Sequence, residues 1–183
     1  MNTDISFDLE TLGVDPGCVI TQIGACAFNL DTPGGRNQFN TFIDPQSCLD
    51  LGMTIKWSTI AWWLVQPEAA RNAMVTKETS HISLALTELS RWIAAVGDPK
   101  AIRVWGHGAT FDISLLEDAY RRCHLPVPWF YRNVRDLRTL RALAPDDLVL
   151  TAPSGAANAH VAVDDAIMQA DWIIQCTAAI RHD

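Results

Sequence analysis

Ile5, Phe7 and Leu9 alternate with Ser6, Asp8 and Glu10 at the start of the chain. A period of two is that of a β-strand with unlike faces. Residues i and i+2 of a strand project the same way, so Asp8 and Glu10 stand side by side. Two carboxylates that close repel each other unless a cation lies between them, and a hard divalent ion takes oxygen ligands. The plainer alternative is a solvated strand face, closed by Thr11, Leu12 and Gly13.

Further strands are expected over residues 18–28 and 37–44, joined as a hairpin through the turn residues of "DTPGGRN". "STIAWWLVQ" predicts a short helix with Ser58 as N-cap, ending before Pro67. Leu86, Leu89, Ile93 and Val96 keep helical spacing within 80–97, which closes on Gly97. "IRVWG" (102–106) reads as a strand, 110–123 as a helix, and "NVRDL" as a last strand leading into a helix over "RTLRALA". Residues 145–160 are irregular and rich in small residues, and a final helix runs from about Val163 to Ile180. Three strands followed by alternating strands and helices predict an α/β fold, a mixed sheet flanked by α-helices. With no repeat or linker, the 183 residues read as one domain.

A net charge of −7 gives no global attraction to nucleic acid or to an anionic membrane. Phosphate binding would then rest on a local basic patch or on metal ions. Eleven of the fourteen basic residues are arginine, and Arg132, Arg135, Arg138 and Arg141 recur every third residue. A guanidinium fork suits phosphate, although a solvated helix face, or pairing with Asp136 and Asp146, would explain the series equally well. Trp62 and Trp63 could stack bases or fill the core, with at least one of them buried. The five cysteines, Cys18, Cys26, Cys48, Cys123 and Cys176, are widely spaced and form no CxxC pair. That argues against a disulfide framework or zinc site and for a reducing compartment. There is no signal-peptide pattern and no apolar run of about 18 residues, so the expected location is cytoplasmic, away from membranes.

Three acidic positions have two readings each. Asp112 heads a helix face with Leu115, Leu116 and Ala119, either as a partner of the helix dipole or as a group aimed into a site beside the core. Asp164 and Asp165 open the last helix, where acidic residues are ordinary. His160 lies five residues before Asp165, as a loop histidine or as part of a site.

Together, "FDLET", the Phe111–Asp112 pair and "HVAVDDA" (160–166) resemble the three exonuclease motifs of the DEDDh 3'-5' exonucleases, the DnaQ-like superfamily. The match gives Asp8 and Glu10, then Asp112, then His160 with Asp165. A DEDDy member would carry Tyr at the position of Val161. Asp165 is preferred to Asp164 because it keeps the five-residue offset from His160 and precedes Ala166. "STIAWW", "PEAAR" and "RDLRT" are similar to the subgroup of phage exonuclease A, proteins labelled exodeoxyribonuclease VIII and mycobacterial-type exoribonucleases. One departure is His107, where many members carry Asn.

The resemblance implies an RNase H-like fold with a five-stranded sheet. It also implies hydrolysis from the 3' end of nucleic acid, single-stranded or overhanging, to 5'-mononucleotides. Two Mg2+ or Mn2+ ions would be bridged by Asp8, with Glu10 and Asp165 completing one ion and Asp112 supporting the other. His160 would take the proton of the attacking water, a role suited to an imidazole. DNA is slightly favoured, with RNA the alternative, and relatives commonly form homodimers. "DLET" also resembles the D-x-D-x-T loop of haloacid dehalogenase phosphatases, but Lys56, Lys77 and Lys100 lie in no matching motif. A non-catalytic nucleic-acid-binding relative is expected to lack a carboxylate or the histidine, and all five positions are filled.

Overall fold

A computed structural model describes residues 3–31, 34–76, 78–151 and 160–182. The alternation is realised in β1 (Asp4–Thr11), whose Ile5, Phe7 and Leu9 are buried in the larger of two apolar clusters. Each such side chain contributes about 1.5–3 kcal/mol on burial. β1 is the central strand of a sheet completed by β2 (Ile20–Phe28), β3 (Asn37–Phe42), β4 (Arg103–Gly106) and β5 (Val134–Asp136), in the order β3-β2-β1-β4-β5. The β1–β2 and β2–β3 pairs are antiparallel and the β1–β4 and β4–β5 pairs parallel, which makes the sheet mixed as expected.

Among the described residues seven α-helices surround it: α1 (Pro45–Asp50), α2 (Trp57–Leu64), α3 (Glu68–Met74), α4 (Ile82–Val96), α5 (Asp112–Arg122), α6 (Leu137–Leu143) and α7 (Ala162–His182). Leu86, Leu89 and Ile93 of α4, with Leu115 and Leu116 of α5, join the cluster that holds the odd-numbered residues of β1. The opposite face belongs to α7, whose Ala166, Ala170 and Ile173 pack with Cys26, Phe28, Trp105 and Leu137.

Several expected boundaries shift. β2 and β3 are shorter than expected, because Cys18 and Ile43 form isolated bridges to Thr54 and Ser80 and Asp44 caps α1 through Gln46 N–H. α1 and α3 were not anticipated; neither is long enough to show a clear apolar period. α2 starts at Trp57 with Lys56 as its N-cap, so Ser58 lies inside the helix. Gly97 does follow α4, but its φ of 178° is extended backbone, not a left-handed cap. Space explains it: a Cβ there would stand 3.0 Å from Thr3 Oγ1 and 3.2 Å from Ile102 Cγ1. Of the irregular stretch, residues 152–159 lie outside the described residues, as does Lys77. All five cysteines are free. No helix among the described residues is long and apolar enough to cross a membrane.

The even-numbered face of β1 is polar and yet covered. Asp4, fully buried, accepts from Arg103 Nε at 2.8 Å and Nη2 at 2.5 Å and from Trp105 Nε1 at 2.8 Å. Further along, α7 comes down onto the sheet beside Asp8. Gly24 is the β2 partner of Asp8, and a Cβ at Gly24 would lie 2.1 Å from the carbonyl carbon of Ala162. Ala162 N–H donates to Gln22 Oε1 at 3.2 Å, and Gln22 Nε2 donates in turn to Asn40 Oδ1 at 2.8 Å. The obstruction at Gly24 is backbone, so it cannot be relieved by rotating a side chain. Gly24→Ala should lower stability by about 1–3 kcal/mol or more and displace the start of α7. Thermal unfolding checks this; an unchanged midpoint would show that the contact is loose.

Candidate active site

Strand β1 presents Asp8 and Glu10 at the sheet end where α7 begins. Asp8 keeps an opening to solvent although protein encloses its other sides, and Glu10 is buried. Asp112 is the first residue of α5 and is also buried. It is therefore more than a surface partner of the helix dipole. Its Oδ2 accepts weakly from Gly108 N–H at 3.4 Å, and it lies over Gly106, where a Cβ would approach Oδ2 to 2.9 Å. Asp165, on the first turn of α7, accepts from His160 N–H at 3.0 Å. His160 holds a left-handed backbone, φ 66°, which is rare outside glycine and marks a constrained position.

The structure brings all five expected residues to one place. Oxygen or nitrogen atoms of Glu10, His160 and Asp165 lie within 4.8 Å of one another. Asp8, Glu10, His160 and Asp165 line an open cleft of about 640 Å3 with Trp62, Phe111 and Arg138. Asp112 is close enough to act electrostatically on Asp8 and Glu10.

Burial first, and then repulsion within the group, disfavours ionisation. The Asp8 carboxyl is pushed well above the usual range by burial and by Asp112, Glu10 and Asp165; the Gln169 hydrogen bond acts the other way. Glu10 is raised to about 8 by burial and by Asp165 and Asp112. Asp112 is raised to about 6 by burial, against hydrogen bonds from nearby backbone N–H groups. Asp165 is raised by burial, with the His160 N–H opposing. Among the described residues, none of the four carboxylates is ion-paired with a basic side chain. Arg138 and His160 offset the charge of Asp112 and Asp165 in part, and a donor set of four carboxylates suits hard divalent cations.

The aromatic and basic neighbours divide clearly. Trp63 is buried and donates from Nε1 to the Thr11 carbonyl at 2.9 Å. Trp62 is 44% exposed, and its ring meets the His160 imidazole edge-on at 5.0 Å between centroids. Of the arginine series only Arg138 lines the cleft. Arg132 contacts Tyr131, Arg135 the carbonyls of Arg132 and Val134, and Arg141 those of Pro145 and Leu148. None of these contacts is an ion pair with Asp136 or Asp146; Asp136 instead caps α6 through Thr139. The His107 ring packs edge-on against Trp172, while its backbone N–H is among those that favour the charged form of Asp112. Lys56 is at the surface, where its Nζ pairs with Asp15 at 3.3 Å.

Gln169 was not foreseen. It donates from Nε2 to Asp8 Oδ1 at 2.7 Å and accepts from Ser6 Oγ at 3.3 Å. The one available signal was its spacing, four residues beyond Asp165 and hence on the same helix face. Gln22 and Gly24 had no comparable signal, because their roles depend on how α7 docks.

Residues 3–177 match the family described as the 3'-5' exoribonuclease Rv2179c-like domain. The chain belongs to this family. The Rv2179c-like domain shares its fold with cell-death related nuclease 4, CRN-4 (TM-score 0.64, 16% identity, 97% of this chain and 64% of that one). It also resembles E. coli exonuclease I in complex with a dT13 oligonucleotide (TM-score 0.64, 15% identity, 98% and 41%). A third neighbour is the nuclease domain of 3'hExo, a DEDDh family member, bound to rAMP (TM-score 0.66, 12% identity, 97% and 92%). The chain thus spans 64% of CRN-4 and 41% of the exonuclease I chain. The fold is the RNase H-like one expected. No curated protein sequence matches.

The raised carboxyls set a pH dependence. A folded-state pKa above the unfolded one means that the folded protein keeps protons which the unfolded chain releases. The associated stability is full below the ordinary carboxylate range and is lost as pH rises through about 6 for Asp112 and about 8 for Glu10. The metal-free protein should therefore unfold at lower temperature at pH 8 than at pH 5. Glu10→Gln should flatten the decline, gaining roughly 2–4 °C per kcal/mol of repulsion removed. Calorimetry across this range checks it; stability rising with pH would contradict it.

Proposed function

We propose that this Rv2179c-like domain is a divalent-metal-dependent 3'-5' exonuclease that releases 5'-mononucleotides from nucleic-acid 3' ends. The supporting observation is the convergence of Asp8, Glu10, Asp112 and Asp165 with His160 at one open cleft. A phosphate cannot approach that concentration of negative charge unless cations stand between. Two Mg2+ or Mn2+ ions would be held there, one by Asp8, Glu10 and Asp165 and one by Asp8 with Asp112. When bound, the ions lower the pKa of the attacking water and offset charge on the departing oxygen.

The remaining roles fall to the chain's own groups. His160 accepts the proton of the attacking water. Its backbone N–H, donated to Asp165, and the Trp62 ring hold the imidazole at the cleft. Arg138 offers a guanidinium fork to a phosphate oxygen, and the exposed side of Trp62 offers a stacking surface. RNA is the first substrate class, because the family description names an exoribonuclease. DNA follows, because exonuclease I has this fold and was captured with dT13. The five free thiols fit a reducing cytoplasm.

Matched 3' ends of RNA and DNA, single-stranded and overhanging and labelled at the 5' terminus, test the reading. Stepwise shortening that requires Mg2+ or Mn2+ is expected. Full activity after exhaustive chelation would refute the metal dependence, and phosphate release from a small ester without strand shortening would favour the phosphatase reading. Asp8→Asn should abolish turnover while leaving the metal-free protein as stable or more so, since one repelling charge is gone. His160→Ala should lower turnover by about 100- to 10,000-fold with little change in KM or Mn2+ binding. Loss of Mn2+ binding in that variant would instead make His160 a ligand, a role its closeness to Glu10 and Asp165 allows.

A further inference from the structure

Helix α7 packs along the polar face of β1, and its spacing keeps step with the strand. One helical turn advances about 5.4 Å and two strand residues advance about 6.8 Å. Asp165 therefore faces the Glu10 end, and Gln169, one turn on, reaches Asp8 and Ser6. Gln169 is only 2% exposed, so water cannot readily replace its amide. Both ends of that amide are committed: Nε2 to Asp8 Oδ1 at 2.7 Å and Oε1 to Ser6 Oγ at 3.3 Å. The reverse orientation would set the amide oxygen against a carboxylate oxygen, so the Ser6 hydroxyl and the Asp8 charge select the same direction. Among the described residues Gln169 is the one hydrogen-bond donor to Asp8, and Oδ2 of Asp8 accepts none.

We propose that Gln169 is a positioning residue for the metal centre. Clamped by Ser6, it fixes the torsion of the Asp8 carboxylate, occupying one lone pair of Oδ1 and leaving Oδ2 and the remaining lone pairs for divalent ions. A carboxylate that must serve two ions gains most from such a restraint, because free rotation about its Cβ–Cγ bond would trade one ion against the other. The neutrality of glutamine is part of the role: an acid at this position would add a fifth negative charge, and an apolar side chain would supply no donor. The proposal rests on the metal-dependent reading above.

The test uses Gln169→Leu, which keeps bulk and removes the donor, with Ser6→Ala as the milder variant that only unclamps the amide. The first readout is stabilisation against heat as a function of added Mn2+, which needs no substrate. The second is the separation of kcat from KM. For Gln169→Leu the Mn2+ concentration giving half-maximal stabilisation should rise about 10- to 100-fold, with a smaller rise in Ser6→Ala. At subsaturating Mn2+, kcat should fall while KM for the strand stays unchanged. Wild-type Mn2+ dependence in a folded Gln169→Leu protein would overturn the proposal. If that variant does not fold, wild-type Mn2+ dependence in Ser6→Ala overturns it instead. Wild-type protein that Mn2+ does not stabilise at all would sink the metal-dependent reading itself, a result distinct from a wild-type response shared by the variants.

Discussion

Repulsion among four buried or half-buried carboxylates is the constraint around which this end of the molecule is arranged. Asp8 and Glu10 come from the central strand, Asp112 from the first turn of α5 and Asp165 from the first turn of α7. Left metal-free, the group keeps protons well above the ordinary carboxylate range. Such an arrangement lowers the stability of the free protein near neutral pH. It persists because the rest of the fold holds the three elements in place.

That support comes from the two faces of β1. Ile5, Phe7 and Leu9 anchor one face in the larger apolar cluster, so the strand cannot slip without exposing them. On the other face, buried Asp4 is tied to Arg103 and Trp105, and Ser6 and Asp8 meet Gln169. Gly24 and Gln22 let α7 begin directly against the sheet, which brings Asp165 and His160 over Glu10. The cleft is thus the meeting point of one rigid strand and the N-terminal turns of two helices. Trp62, half exposed, and Arg138 form part of its rim.

Much of this was legible in the chain because it rests on local periodicity. The two-residue alternation placed Asp8 and Glu10 on one face, helical spacing located α4, and the segments read as helices at α5, α6 and α7 match to within a few residues. The five site positions were assembled through their resemblance to exonuclease motifs; periodicity alone left each with an ordinary alternative. What stayed hidden depends on docking. Gln169 looks like any polar residue on a helix until α7 is laid along β1, and Gly24 looks like a strand defect until Ala162 is brought against it. The arginine series kept two readings in the sequence because its threefold spacing spans a 3-10 turn (Tyr131–Asn133), β5 and α6. No common face results, and only Arg138 reaches the cleft.

On the function proposed above, the carboxylates converge to hold divalent cations. Calorimetric titration of Mn2+ into the metal-free protein near pH 7, in two buffers of different ionisation enthalpy, tests it directly. Ligands must be deprotonated to bind metal, and Glu10 is held at about 8, so binding should release about one proton or more per protein. Saturable Mn2+ binding with that proton release is the result expected. Absence of saturable binding would contradict the account, and so would equal binding by Asp8→Asn.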